Sequence, residues 1–256
     1  MRLTYHRIAY QALDVCNAVS IETVLKFLRK TGLETGRALD IGCGNGTVSV
    51  RLAEVLGLTV TAVEYDPAMA DLARTRLAGS PALNQLTMIE GTSGSVLASS
   101  EPWDLIIALG TTDPAGDGTR EPAAMMKGLR PHLRPGGWLL WGDLVWLTEP
   151  SPPLRQIIEL SGTYTDHAGW QAAASEAGLL VAAAHLSTQD EWNAYGQTMD
   201  TAVRTWLAAH PDHPDAAAIR QRADQIGMMM DFGRGTLGFG LYLFRRDDDG
   251  ERRRQA

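Results

Sequence analysis

Residues 39–49, LDIGCGNGTVS, constrain this chain more than any other stretch. Gly42, Gly44 and Gly46 follow a short apolar run, 37–42, that reads as a buried strand. They precede a run, 47–57, that reads as a helix ended by Gly57. A turn this flexible either holds a ligand against bare backbone or is simply tight. Glycine admits dihedrals and close approaches that a side chain blocks. The helix amino terminus just beyond supplies N–H groups without intrahelical partners. The strand–turn–helix context favours the ligand. The spacing is GxGxG, whereas the dinucleotide fingerprint is GxGxxG, and Thr47 stands where its last glycine would fall. No Lys-Ser/Thr pair follows, so a nucleotide-phosphate loop is also a poor match.

The flanking pattern extends this unit. A helix lies within 14–31, with Val24, Leu25 and Leu28 at helical spacing. Ser20 can cap it, but Thr23 stands where a capping box wants Glu. Strands are read at 37–42, 59–66, 84–91, 103–110, 137–147, 179–187 and 236–246. Helices are read at 47–57, 67–79, 121–133 and 165–177, with Pro67 opening one and Pro131 ending another. RPGG at 134–137 is a turn, and PSPP belongs to a loop over 148–154. This order predicts an α/β fold with a mostly parallel sheet. From Asp190 to Phe232 the strand pattern stops. Trp192, Tyr195, Met199, Val203 and Trp206 share one helix face, HPDHPD turns the chain, and Asp215 caps a second helix. The last residues, DDDGERRRQA, read as a polar tail.

Composition narrows the function classes. A formal net charge of -7 weighs against a nucleic-acid partner, which wants a positive surface. No apolar run is long enough to span a membrane, and the start, MRLTYHRIAYQAL, lacks the order of an export signal. Cys16 and Cys43 are the only cysteines, so neither a disulfide framework nor an ordinary zinc site is expected. The six histidines form no compact metal motif, and no metal is expected. A cytoplasmic location is expected.

DIGCGNG resembles the first motif, E/DxGxGxG, of the class I S-adenosylmethionine-dependent methyltransferases. The resemblance implies a Rossmann-like fold with seven strands, one of them antiparallel. It implies S-adenosyl-L-methionine as cofactor, held by Asp40, Gly42, Cys43, Gly44 and Gly46. Glu64, ending the second strand in AVEYD, matches the acidic residue that accepts from the ribose hydroxyls, a role its two oxygens suit. Tyr65 follows it, and Asp66 reads first as a cap for the helix at Pro67. Where the family often has an aspartate near adenine, this chain has Thr92 and Ser93 in EGTSG, kept as cofactor contacts. Leu109 ends the fourth strand beside the same site. The arrangement is also similar to a bacterial branch of small-molecule methyltransferases of the ubiquinone/menaquinone type. There an amino-terminal helical segment covers the cofactor, and the fourth strand ends in a glycine-threonine stretch, here GTT at 110–112.

Ligands of open α/β sheets sit beyond the carboxyl ends of the strands. That places Thr111, Asp113, Asp143 and Trp146 on the acceptor side, with Tyr10 from the lid and Trp192 and Tyr195 from the inserted helices. His6 and His167 are the candidate bases, needed only where the acceptor must lose a proton. Methionines 228–230 read as packing; facing a pocket, they would suit a bulky apolar substrate. The expected division is a lid over 1–35, a core over 36–189 and 233–246, an inserted helical cap over 190–232, and a tail over 247–256. The expected partner is a small-molecule substrate, with no nucleic acid and no membrane. A homodimer through the hairpin is the alternative to a cap. An NAD-dependent oxidoreductase and a noncatalytic cofactor-binding protein remain the competing readings.

Overall fold

A computed structural model describes residues 3–247. Its order is α1 (Tyr5–Gln11), α2 (Ile21–Arg29), β1 (Arg37–Ile41), α3 (Thr47–Leu56), β2 (Thr59–Glu64), α4 (Pro67–Ala78), β3 (Leu86–Glu90) and α5 (Ser93–Ser99). Then come β4 (Trp103–Leu109), α6 (Pro122–Leu129), β5 (Leu133–Trp146), α7 (Pro152–Ile158), α8 (His167–Glu176), β6 (Leu179–Leu186), α9 (Gln189–Ala209), α10 (Ala216–Phe232) and β7 (Leu237–Arg246). The seven strands form one sheet in the order β3-β2-β1-β4-β5-β7-β6. β7 runs antiparallel to both its neighbours, and the other pairs are parallel. Strand order reverses between β1 and β4, and that switch point is where such sheets bind ligands.

Strand alternation builds the two faces. Leu105, Ile107 and Leu140 meet Val24, Leu25, Leu28 and Leu52 of α2 and α3 on one face. Ile106, Leu139 and Trp141 meet Met126, Leu129 and Trp170 of α6 and α8 on the other. Burying each such side chain stabilises the fold by about 1.5–3 kcal/mol. A third apolar cluster joins Tyr5, Ile8 and Ala9 of α1 to Met199, Val203 and Leu207 of α9 and to Ile219 and Ala223 of α10.

The two helices of the expected lid pack differently. α2 packs on the sheet because its apolar face meets α3, whereas α1 packs on the late hairpin. Two short helices, α5 and α7, stand where no helix was read. α5 (SGSVLAS) is too short to show a period, and α7 opens on two prolines that resemble loop. The RPGG turn is a bulge inside β5: pairing jumps from Trp103↔Leu133 to Leu105↔Trp138. Ser20 caps α2 through the Thr23 N–H at 3.1 Å. Asp215 precedes α10 without capping it; its carboxylate accepts from the Leu3 N–H at 3.0 Å. The capping box forms at α9, between Thr188 and Glu191. Of the expected tail, residues 248–256 lie outside the described residues.

Candidate functional site

Two adjoining cavities open at the carboxyl ends of the strands. The larger, about 590 Å³, is bounded by Gly42 and Gly44 of the turn, Glu64 and Tyr65 after β2, Thr92 and Ser93 after β3, and Leu109 ending β4. The smaller, about 300 Å³, is walled by Asp143 and Leu144 of β5, Tyr164, Trp192 and Tyr195 of α9, and Met229 and Met230 of α10. His6, Tyr10, Asn17, Gly110, Thr111 and Thr112 line both.

The turn itself explains the larger cavity. Gly42, Gly44 and Gly46 all have positive φ. A Cβ on Gly42 would meet Thr111 Cγ2 at 3.0 Å, and one on Gly44 would meet Cys16 Sγ at 3.0 Å. Glu64 accepts from the Gly44 N–H at Oε2 and from the Asp66 N–H at Oε1, each at 2.9 Å. Burial raises its pKa while these backbone donors hold it down. Each oxygen keeps a further acceptor site toward the cavity. Asp66 caps α4 through Ala68 and Met69.

Several expected contacts lie elsewhere. Asp40 is buried under the turn, where Ser49 Oγ donates to it at 2.5 Å, and burial pushes its pKa up to about 7. It lines neither cavity. Cys43 points into a small apolar cluster with Ala62, Ala73 and Leu77. Gly46 serves packing rather than a ligand: a Cβ there would strike Leu77 Cδ1 at 2.7 Å and crowd Ala73 of α4. Asp113 borders the larger cavity, but its carboxylate is occupied by the Gly116 and Gly118 N–H groups. Tyr65 is 76% exposed at the rim.

On the acceptor side the corrections are Trp146 and His167. Trp146 turns to the sheet core beside Leu154 and Ile158, under the Arg155 guanidinium, and lines neither cavity. Its alternation along β5 sets it opposite to Asp143. His167 opens α8 and stacks on Tyr242, whose hydroxyl meets its Nδ1 at 3.1 Å. That site is outside both cavities. His6 sits where the cavities meet, and burial first, then Arg222, lowers its pKa against an opposing pull from Asp66. The imidazole is therefore neutral at neutral pH, as a proton acceptor must be. The Tyr10 and Tyr195 hydroxyls lie 3.4 Å apart and join α1 to α9 across the junction.

Sequence reasoning missed two asparagines. Asn45, in the middle of the glycine turn, donates to the carbonyls of Tyr10 and Leu13 and accepts from the Thr47 N–H. Asn17 donates to the Leu109 carbonyl at 3.3 Å, and only a glycine at 110 admits it: a Cβ there would lie 2.6 Å from Asn17 Oδ1. Among the described residues no group of histidine, cysteine and acidic side chains could hold a metal. Nor is any described helix long and apolar enough to cross a membrane.

Comparison with known proteins agrees with this architecture. Residues 39–139, from the first strand through the fifth, match the model of a family described as a methyltransferase domain. The chain is 26% identical over 212 residues to the uncharacterized protein YjhP of Escherichia coli strain K12, spanning 80% of this chain and 83% of that one. The X-ray structure of YjhP superposes with a TM-score of 0.76 at 23% identity, over 94% of this chain and 98% of that one. A SAM-dependent methyltransferase of Geobacter sulfurreducens, solved with S-adenosyl-L-homocysteine, gives a TM-score of 0.80 at 24% identity, over 94% and 96% of the two chains. The corresponding protein of Thiobacillus denitrificans, also solved with S-adenosyl-L-homocysteine, gives 0.79 at 23%, over 95% and 99%. The fold is thus the Rossmann-like methyltransferase fold, and residues 39–139 match the methyltransferase-domain family model within it.

Proposed function

We propose that the chain transfers a methyl group from S-adenosyl-L-methionine to a small-molecule acceptor by direct in-line displacement. The single observation that carries this is the shared wall of the two cavities. One is built of bare glycine backbone and the Glu64 carboxylate, the other of apolar and aromatic side chains, and both end at His6, Tyr10, Thr111 and Thr112.

The residues fit the cofactor on this chain's own terms. Gly42 and Gly44 leave a cradle that any side chain would fill, and Glu64 offers acceptor sites for a pair of hydroxyls. Thr92 and Ser93 offer neutral polar groups on the far wall. The bound cofactor supplies an electrophilic sulfonium methyl. The chain's task is to hold an acceptor atom in line with it and to exclude water. Two proteins of similar fold solved with S-adenosyl-L-homocysteine support the choice of cofactor. The arrangement is similar by sequence to the bacterial ubiquinone/menaquinone-type branch, and cytoplasmic action on a metabolite suits it. The formal net charge of -7 weighs against a nucleic-acid acceptor. The hairpin acts as a cap, since Trp192, Tyr195, Met229 and Met230 all wall the smaller cavity; a homodimer would have to use its outer face.

Isothermal titration with S-adenosylhomocysteine and with NAD tests the reading. Binding of the first and none of the second is expected. Binding of NAD alone would establish the oxidoreductase alternative. A folded protein that binds S-adenosylhomocysteine but transfers no labelled methyl to any pool of small metabolites would instead be a noncatalytic binder.

A further inference from the structure

The smaller cavity contains one group that its apolar walls do not explain. Asp143 lies in β5, where Leu139, Trp141 and Val145 on the same face are buried apolar side chains. An apolar residue at 143 would continue that wall. The carboxyl is 6% exposed, and burial pushes its pKa up to about 7. The adjacent Leu144 N–H donates to Oδ1 at 2.8 Å. Among the described residues Oδ2 receives no donor and the carboxylate has no ion-pair partner, yet this side chain borders the cavity. Taking a carboxylate from water without a partner is costly, so an ionised Asp143 calls for a cation delivered by a ligand.

We propose that Asp143 pairs with a basic nitrogen of the acceptor, so that the substrate class is an amine-bearing small molecule with an apolar body. This rests on the methyl-transfer reading of the same site. The aromatic side chains of Tyr10, Tyr164, Trp192, Tyr195 and Phe239 wall the cavity with Asp143. Their faces attract an alkylammonium group and tolerate the apolar body attached to it. On the β7 side the carboxyl is flanked by the Tyr242 ring, which lies over Gly240. Asp143 is paired across the sheet with Gly240, where a Cβ would collide with the Tyr242 ring.

The groups that face Asp143 do not replace such a cation. Tyr164, in the segment after α7, is held by Ser161 at 2.9 Å. The Tyr242 hydroxyl of β7 is engaged by His167 of α8. Asp166, at the start of α8, adds negative charge near Tyr242, so it too disfavours an unpaired anion here. Arg120, before α6, borders the same cavity but is exposed to solvent and forms no ion pair with Asp143. His6, from α1, stands at the junction with the other cavity and is neutral.

Titration calorimetry on the full chain saturated with S-adenosylhomocysteine tests this with two probes that differ in one group, 2-phenylethylamine and 2-phenylethanol. The amine should bind at least about tenfold more tightly than the alcohol, as a charge-assisted pair does. Asp143→Asn should abolish that preference and leave the affinity for S-adenosylhomocysteine unchanged. Equal affinities, no binding of the amine, or a preference that survives in Asp143→Asn would overturn the proposal. A tighter alcohol would mean that a protonated Asp143 serves a neutral polar acceptor. Failure of the wild-type chain to bind S-adenosylhomocysteine would sink the methyl-transfer reading instead, and the two failures are thus separable. Should Asp143→Asn not fold, the wild type still decides: near pH 6.5, amine binding should drive a proton off Asp143. Calorimetry in two buffers of different ionisation heat reads that release, and its absence would count against the pairing.

Discussion

The side-chain amide of Asn45 donates to the backbone carbonyl of Tyr10 at 2.9 Å, and its other hydrogen goes to Leu13 at 2.7 Å. The glycine turn is thereby tied to the amino-terminal helix, which also packs on the late hairpin. Glycine turn, amino-terminal helix and late hairpin form one connected assembly, joined at the turn by a side chain that is 2% exposed.

Asn45→Ala should therefore loosen the lid without removing any cavity wall. Leaving two carbonyls and the Thr47 N–H without their partner should cost about 1–3 kcal/mol of stability. Hydrogen exchange should accelerate in α1 and the segment that follows it, and S-adenosylhomocysteine should bind less tightly. Unchanged exchange in α1 would show that the apolar cluster with α9 and α10 suffices to hold it.

Glu64→Ala and Gly44→Val should both weaken S-adenosylhomocysteine, for different reasons. The first removes the acceptor sites on the cavity wall, a loss of about 1–3 kcal/mol of binding. The second places a branched side chain at φ +56°, 3.0 Å from Cys16 Sγ, and narrows the cradle. Titration calorimetry on folded variants measures both. Native affinity in the pair would remove the glycine turn from the cofactor site.

Much of this frame was legible in the sequence, for physical reasons. Buried parallel strands are continuous apolar runs, and WDLIIALG announces one without any neighbour's help. Asp66 as a cap and Gly57 as a terminator are local signals, and both are found where they were read. What depended on distant partners was not legible. The role of Asn45 lies in carbonyls 32 and 35 residues away. Trp146 and Asp143 both lie near the end of β5, yet only Asp143 borders the cavity, because Trp146 is covered by Leu154 and Ile158 from the following helix. Met229 and Met230 pack against the core, as they read in the sequence, and their place at the rim of the smaller cavity depends on partners far along the chain.

Stability should fall with rising pH on account of two buried carboxyls. Asp40 and Asp143 are raised by burial to about 7, above their ordinary value of 3.8. The folded chain holds these protons where the unfolded chain releases them. Their stabilising contribution is complete below about pH 4 and is lost as pH rises through about 7, by at most about 4 kcal/mol per carboxyl. His6 acts in the opposite direction, because its lowered pKa removes stability as pH falls below its ordinary 6.5. Urea midpoints at pH 5 and pH 8 should show a smaller acid-side advantage in Asp40→Asn and Asp143→Asn than in the wild type. Identical pH differences in all three proteins would contradict the burial assigned to these groups.

Catalysis should depend on placement more than on proton transfer. Neither cavity contains a compact acid–base pair, and His167, bonded to Tyr242, lies outside both. His6 alone combines a neutral ring with a position at the junction. Holding an acceptor in line with a sulfonium methyl and excluding water can supply most of the acceleration. Single-turnover transfer should be followed at saturating cofactor and acceptor, with an acceptor taken from a labelled-methyl screen. His167→Ala should transfer at the wild-type rate. His6→Ala should lose less than about tenfold, and Trp192→Ala should lose more, because the indole walls the acceptor cavity and moves no proton. A loss of about 10²–10⁴-fold in His6→Ala, with acceptor binding retained and the rate no longer rising with pH, would make His6 the general base. The wall residues would then be secondary, and the placement account would fail.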